Sequence, residues 1–212
     1  MIINLLCDNE DSWFWNTSED FIHKIRNLGH EVNIAKNEDE LKDGDIAAFI
    51  SCLKIVSKEG LNKNKSNIVP HPSDLPEGRG FAPISWSVLE NKNQITFSLF
   101  EANEDIDDGK IYLKETVNLK GTELSEELRS IQANITYEII LKYIKQYPKI
   151  MGVEQVGEPT YYKRRYPEDS ELNVNESIES QFNLLRIVDN EKYPAFFIKD
   201  GKKYIIKIYK ED

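Results

Sequence analysis

Short apolar runs alternate with helical patterns over residues 1–70. Ile2–Cys7 reads as a strand. Ser18–Leu28 reads as a helix, with Ser18 as N-cap, Phe21, Ile22, Ile25 and Leu28 on one face and Gly29 as the stop. Glu31–Ala35, Ile46–Cys52 and Asn67–Val69 read as further strands, joined by short helical links around Glu38–Leu41 and Ser57–Leu61. Strands alternating with helices predict a parallel sheet, and right-handed crossovers then make this half Rossmann-like. A helix follows over Pro83–Leu89. Gln94–Glu101 sets Ile95, Phe97 and Leu99 against polar or small neighbours, the period of a half-buried strand, and Lys110–Val117 returns as another. Thr122 is expected to cap the longest helix, whose apolar residues run from Leu124 to Ile144 at helical spacing and which ends near Pro148. Beyond it lie Tyr161–Tyr166, a helical piece near Ile178–Leu184, and two short strands, Ala195–Ile198 and Tyr204–Tyr209, about an Asp200-Gly201 turn. The expected fold is α/β: a Rossmann-like, mostly parallel sheet over residues 1–148 with a small C-terminal α+β appendage over 149–212.

The balance of 40% hydrophobic and 30% charged residues is that of a globular protein. No run reaches the ~20 apolar residues of a membrane span, and the N-terminus lacks a basic leader, so a cytoplasmic protein with no membrane partner is expected. Cys7 and Cys52 lie in apolar runs without CxxC spacing; they read as buried residues of a reducing compartment, and no metal site is expected. A net charge of −10 disfavours nucleic acid as a partner. The acidic stretch Asp8-Asn9-Glu10-Asp11 stands where a dinucleotide binder has its glycine-rich turn, and it would repel a pyrophosphate.

Of the three histidines, His23 and His30 read as surface residues. His71 ends an apolar strand and opens a Pro- and Gly-dense loop at the carboxyl edge of the sheet, where α/β proteins place ligands. It is either a catalytic group, poised to titrate near neutral pH, or a structural histidine at a strand end. Asp107, in the loop Asn103–Gly109, is either solvated surface or the carboxylate that orients His71.

These residues also carry a resemblance. His71-Pro72-Ser73-Asp74-Leu75-Pro76, Gly78-Arg79-Gly80-Phe81-Ala82-Pro83 and Trp86 resemble the HPSxLPxxRGxxP signature of N10-formyltetrahydrofolate-dependent formyltransferases. Ile95–Phe100 followed by Ile106–Ile111 is similar to that family's GVTLH…DxG block. Leu185-Arg186-Ile187, Tyr193–Phe197 and Gly201–Lys203 resemble the ending of sugar N-formyltransferases, in particular the small enzymes of pseudaminic-acid-type surface polysaccharide pathways. The blocks stand in order over about residues 67–209. The resemblance implies formyl transfer from N10-formyltetrahydrofolate to an amine, with His71 shuttling the proton and Asp107 fixing the imidazole. It places the folate along Ser73, Asp74, Leu75 and Pro76, with its pterin held by backbone of Asn103, Glu104, Asp105 and Ile106. The family has an asparagine two residues before the histidine as oxyanion donor; here that position is Val69, and Asn67 lies four before. Either a bulge at Pro70 brings Asn67 to the site, or another donor replaces it.

The acceptor follows by elimination. The glycine-rich first loop of the glycinamide enzymes is missing, and so is an evidently basic C-terminal domain of the kind that binds initiator tRNA. What remains is the amino group of a nucleotide-linked deoxysugar, a small-molecule partner. Tyr161, Tyr162, Arg164 and Arg165 could hold its base and diphosphate, or be core aromatics and solvated charges. Trp13 could wall the sugar or cap the core. The long helix and C-terminal strands offer surfaces for a homodimer. The alternatives are a formyltetrahydrofolate hydrolase and a non-catalytic folate- or sugar-binding protein; the displaced asparagine favours the last.

Overall fold

The computed structural model describes residues 1–211. In chain order the elements are β1 (Ile2–Leu6), α1 (Phe14–Thr17), α2 (Glu19–Asn27), β2 (Glu31–Ala35), β3 (Gly44–Phe49), α3 (Lys58–Leu61), β4 (Asn64–His71), β5 (Arg79–Gly80), α4 (Pro83–Leu89), β6 (Gln94–Glu101) and β7 (Ile111–Asn118). There follow α5 (Ser125–Gln146), β8 (Tyr161–Tyr162), α6 (Phe182–Ile187), β9 (Ala195–Lys199) and β10 (Lys202–Ile206). Six strands form one sheet in the order β2-β1-β3-β4-β6-β7. The first four pair in parallel, while β6 and β7 run antiparallel. The sheet is therefore mostly parallel, as the alternation of strands and helices required.

Burial on both faces explains why β1, apart from Asn4, and β3 from Ile46 to Phe49 are apolar on successive residues rather than alternating. Ile3 and Leu5 of β1, with Ile46 and Ala48 of β3, pack against α2 and α5. Leu6, Ala47 and Phe49 point the other way, toward Leu41 and Val56. Phe21 of α2 stacks on Tyr137 of α5 with ring centroids 4.4 Å apart, locking the two helices together over the sheet.

Four expectations are corrected. Ser18 makes no side-chain cap, because α1 runs into α2 and leaves Ser18 with helical dihedrals. Thr122 does not cap α5: the helix starts at Ser125, and the Glu127 carboxylate accepts from the N–H of Leu124, its N-cap. The expected helix near Ile178 begins only at Phe182, since Leu185 and Arg186 are the residues that find a buried partner while Ile178 is 74% exposed. Pro70 marks no bulge: Val69, Pro70 and His71 pair in unbroken register with Phe100, Leu99 and Ser98.

The C-terminal segment is tied down by charge. Arg186, 2% exposed, donates to the Glu123 carboxylate at 3.1 Å and to its backbone carbonyl. Burial works against the Glu123 charge, yet the N–H groups of Lys120 and Gly121 and the Arg186 guanidinium hold its carboxyl below the ordinary value. Removing one partner strands the other without water. Arg186→Ala is expected to cost about 3 kcal/mol in urea unfolding. Lys142→Ala, which removes the surface pair with Glu115, should cost less than about 1 kcal/mol.

Candidate functional site

His71 is the last residue of β4, and 6% of it is exposed. Its Nε2 lies 2.9 Å from the Gly78 carbonyl. A carbonyl only accepts, so Nε2 carries the proton and the neutral ring leaves Nδ1 as its basic nitrogen. The Asp107 carboxylate stands 3.8 Å from Nε2, too far to hydrogen-bond but close enough to stabilise an imidazolium. The structure thus brings His71 and Asp107 together, but it is the Gly78 carbonyl, which the sequence motif does not reveal, that fixes the ring.

Asp107 itself is held in the left-handed region at φ +52°, a conformation costing a non-glycine residue of order 1 kcal/mol. Its carboxylate accepts from the Gly80 N–H at 2.8 Å. Two residues on, Gly109 passes so close to the Glu101 carbonyl that a Cβ would sit 1.7 Å from that oxygen. Only glycine makes this turn, and the turn is what delivers Asp107.

A cavity of about 500 Å³ opens beside the pair at the carboxyl edge of the sheet. It is lined by His71 and Asp107, and its remaining lining divides by character. One part is apolar: Phe49, Ile50, Val56, Leu61, Val69 and Phe100 from the ends of β3, β4 and β6, the loop after β3 and the end of α3. Asn103, Asp105 and Ile106 add the acidic loop. The other part carries Trp13 at the start of α1, Arg129 and Gln132 on α5, and Arg164 and Arg165. Lys54 also lines the cavity. In a chain of net charge −10, four cations face this space against two carboxylates. Among the described residues Lys54, Arg164 and Arg165 have no carboxylate within ion-pair distance, whereas Arg129 pairs with Asp189. Burial lowers the affinity of Arg165 for its proton while Asp169 pulls the other way, so this cation is incompletely compensated.

Other expected site residues fall elsewhere. Asn67 is corrected: the regular register keeps it four residues, about 13 Å, down the strand from His71. There its amide donates to the Leu61 carbonyl, and it does not line the cavity. Ser73, Asp74, Leu75 and Pro76 do not line it either. Ser98 accepts from the Leu75 N–H and donates to the Ser73 carbonyl, and Lys114 binds Asp74, so that loop is drawn over β6 and β7. Glu104 is likewise outside the lining. Tyr161 is 63% exposed, and Tyr162 stacks on Trp86 at 5.9 Å while donating to Glu90. Both tyrosines belong to β8, which pairs with β5 and so carries Arg164 and Arg165 to the rim. The loop over 51–56 was missed; its signal was its place between a strand and a helix at the carboxyl edge, where α/β sheets open their crevice.

A family model described as formyl transferase matches residues 19–144. The methionyl-tRNA formyltransferase of Thermodesulfovibrio yellowstonii is 28% identical over 192 residues, covering 89% of this chain and 58% of that protein. The chain spans about half the length of the curated relatives it matches. The structure of methionyl-tRNA formyltransferase from Clostridium thermocellum superposes with a TM-score of 0.82 at 23% identity, covering 100% of this chain and 93% of that one. A sugar N-formyltransferase from a Shewanella species gives 0.71 at 17% identity, covering 100% and 98%. At these identities the structural likenesses establish a shared fold.

Gly80, at φ +97°, lies against the Tyr162 carbonyl, 2.5 Å from where a Cβ would stand. Gly80→Ala is expected to part β5 from β8 and to withdraw the N–H from Asp107; hydrogen exchange at residues 79–81 and 161–163 should rise at least tenfold, with the β1–β3 amides unchanged.

Proposed function

The chain belongs to the formyl transferase family, and from that premise we propose that it transfers a formyl group from N10-formyltetrahydrofolate to the amino group of a nucleotide-linked amino-deoxysugar. The observation that carries this reading is the composition of one cavity: an imidazole with an adjacent carboxylate, an apolar slot suited to a flat ring, and three cations that pair with no carboxylate among the described residues. In this reading residues 1–148 supply the donor site and the proton transfer, and residues 149–212 complete the acceptor side.

The acceptor nitrogen bonds to the formyl carbon, and the carbonyl electrons move to oxygen. His71 takes the proton from that nitrogen at Nδ1, its only unprotonated ring nitrogen. Asp107 then faces an imidazolium, and its charge stabilises the cation while the oxyanion persists. His71 returns the proton to N10 as the bond from formyl carbon to N10 breaks. Val69 offers no hydrogen bond to the oxyanion, so the positive ring bears more of that task than it would beside an asparagine. Lys54, Arg164 and Arg165 would take the diphosphate, and Trp13 the sugar face.

A second reading has methionyl-tRNA as the acceptor, and the names of the curated sequence relatives favour it. The same cations could meet a tRNA phosphate. Tetrahydrofolate release, followed with formyl-folate and either nucleoside-diphosphate amino sugars or methionyl-tRNA, separates the two. Release that depends on the amino sugar is expected. Release only with tRNA selects the second reading, release without any amine indicates a hydrolase, and binding without release indicates a non-catalytic protein. His71→Ala is expected to lower kcat by about 10²–10⁴-fold. Replacing Arg164 and Arg165 together by Ala should raise the acceptor KM by roughly 10–100-fold with a smaller change in kcat, the loss expected of charge-assisted hydrogen bonds.

A further inference from the structure

Asp107 is reached from three directions, and one of them comes from far along the chain. Gln155, 48 residues beyond it, donates from Nε2 to the Asp107 carbonyl at 2.8 Å and to the Gly109 carbonyl at 2.9 Å. Its Oε1 accepts from the Arg79 guanidinium at 2.8 Å. This orientation is forced: turned over, the amide would set its oxygen against two carbonyls and its N–H groups against a cation. Arg79, 7% exposed, also pairs with the Asp108 carboxylate at 2.5 Å. Thus the Asp107 and Gly109 carbonyls are held by Gln155 directly and the Asp108 carboxylate by Arg79, which Gln155 orients, while the Asp107 carboxylate is held separately by the Gly80 N–H. The segment bearing Gln155 is itself anchored. Val153 and Ile111 exchange backbone hydrogen bonds at 2.8 Å, and Thr160 accepts from the N–H groups of Gly78 and Arg79.

We propose that Gln155 is a positioning residue for Asp107, holding its left-handed backbone so that the carboxylate faces His71, rather than a packing residue of the C-terminal segment. Only the kinetic part rests on the function proposed above. Asp107 adopts a conformation its own sequence does not favour, and a side-chain amide spanning the turn, with its donors and acceptor all used, is the device that compensates. Because Gln155 precedes Tyr161–Arg165 by only a few residues, the same segment that carries the acceptor cations also sets the proton-transfer pair.

Two variants test this. Gln155→Met keeps the volume and loses the hydrogen bonds; Gln155→Glu keeps the shape and the Arg79 contact but sets oxygen against the two carbonyls. The reporter is the Gly80 amide, which donates to Asp107 and can be read by NMR hydrogen exchange without any turnover. In both variants Gly80 exchange should rise at least tenfold while Ile46 in β3 keeps its protection, and kcat should fall about tenfold with little change in the acceptor KM. Wild-type Gly80 exchange in the Met variant would reduce Gln155 to packing and overturn the proposal. So would a rise shared by Ile46, which signals general loosening. If the wild type itself released no tetrahydrofolate with any amine, the transferase reading would fail, and exchange at Gly80 would decide the role of Gln155 alone.

Discussion

The close approach of Gly109 to the Glu101 carbonyl is the constraint from which the site is built. β6 and β7 must turn back on each other within the segment 102–110, and the turn is tight enough to exclude a side chain at its base. Its cost is a left-handed aspartate at its crest. That aspartate is useful because β4 runs antiparallel to β6 and continues past the level of Glu101, leaving His71 opposite Ser98. A histidine at a strand end and a carboxylate on a neighbouring loop thereby share one space without being close in sequence. Neither is aligned by the other. The imidazole is set by the Gly78 carbonyl and the carboxylate by the Gly80 N–H, two backbone groups of a single glycine-rich loop. A loop whose backbone must approach other groups this closely cannot carry side chains at those places.

The electrostatics of the cavity run against those of the molecule. Most of the acidic surplus is spread over the outer surface, where water screens it. Among the described residues three of the cavity's cations stand without carboxylate partners, and one of them is partly desolvated. An unpaired charge held away from water has a strong preference for an anion, stronger than its formal charge alone would suggest. The net charge of a chain therefore says little about what its cavity prefers. It weighs on long-range encounter with a large polyanion such as tRNA, where many screened charges act together.

What could be read from the sequence was what period and punctuation encode. β2, β6 and α4 have the bounds their patterns predicted, because apolar alternation and a proline at a helix start are local signals. His71 could be singled out because it ends an apolar strand pattern beside prolines, whereas Asp107, in an acidic loop between two strand patterns, is distinguished from solvated surface only by the family resemblance. The errors share a cause. Thr122 has a capping side chain, but the backbone around it is taken by the Glu123 turn that receives Arg186 from residue 186. Asn67 has an amide that could serve an oxyanion, but strand register set its distance. Ser73–Pro76 carries a recognisable motif, yet Ser98 and Lys114 determine which way the loop lies. Each outcome depended on a partner distant in sequence, and composition or spacing near the residue could not reveal it.

The C-terminal segment illustrates the same point at a larger scale. Its sequence reads as an appendage, with short strands, scattered charge and many exposed aromatics. In space it threads between the two loops that matter: Val153 bridges Ile111, Thr160 receives Gly78 and Arg79, and Tyr162 lies against Gly80. Backbone pairing of β5 with β8 places Arg164 and Arg165 only a few residues from the peptide that holds Asp107. A ligand anion drawing on those arginines would therefore pull on a strand whose partner sets the carboxylate. Binding energy gained at the rim can then be expressed as alignment at the imidazole, which is how contacts remote from the reacting atoms raise turnover rather than affinity alone.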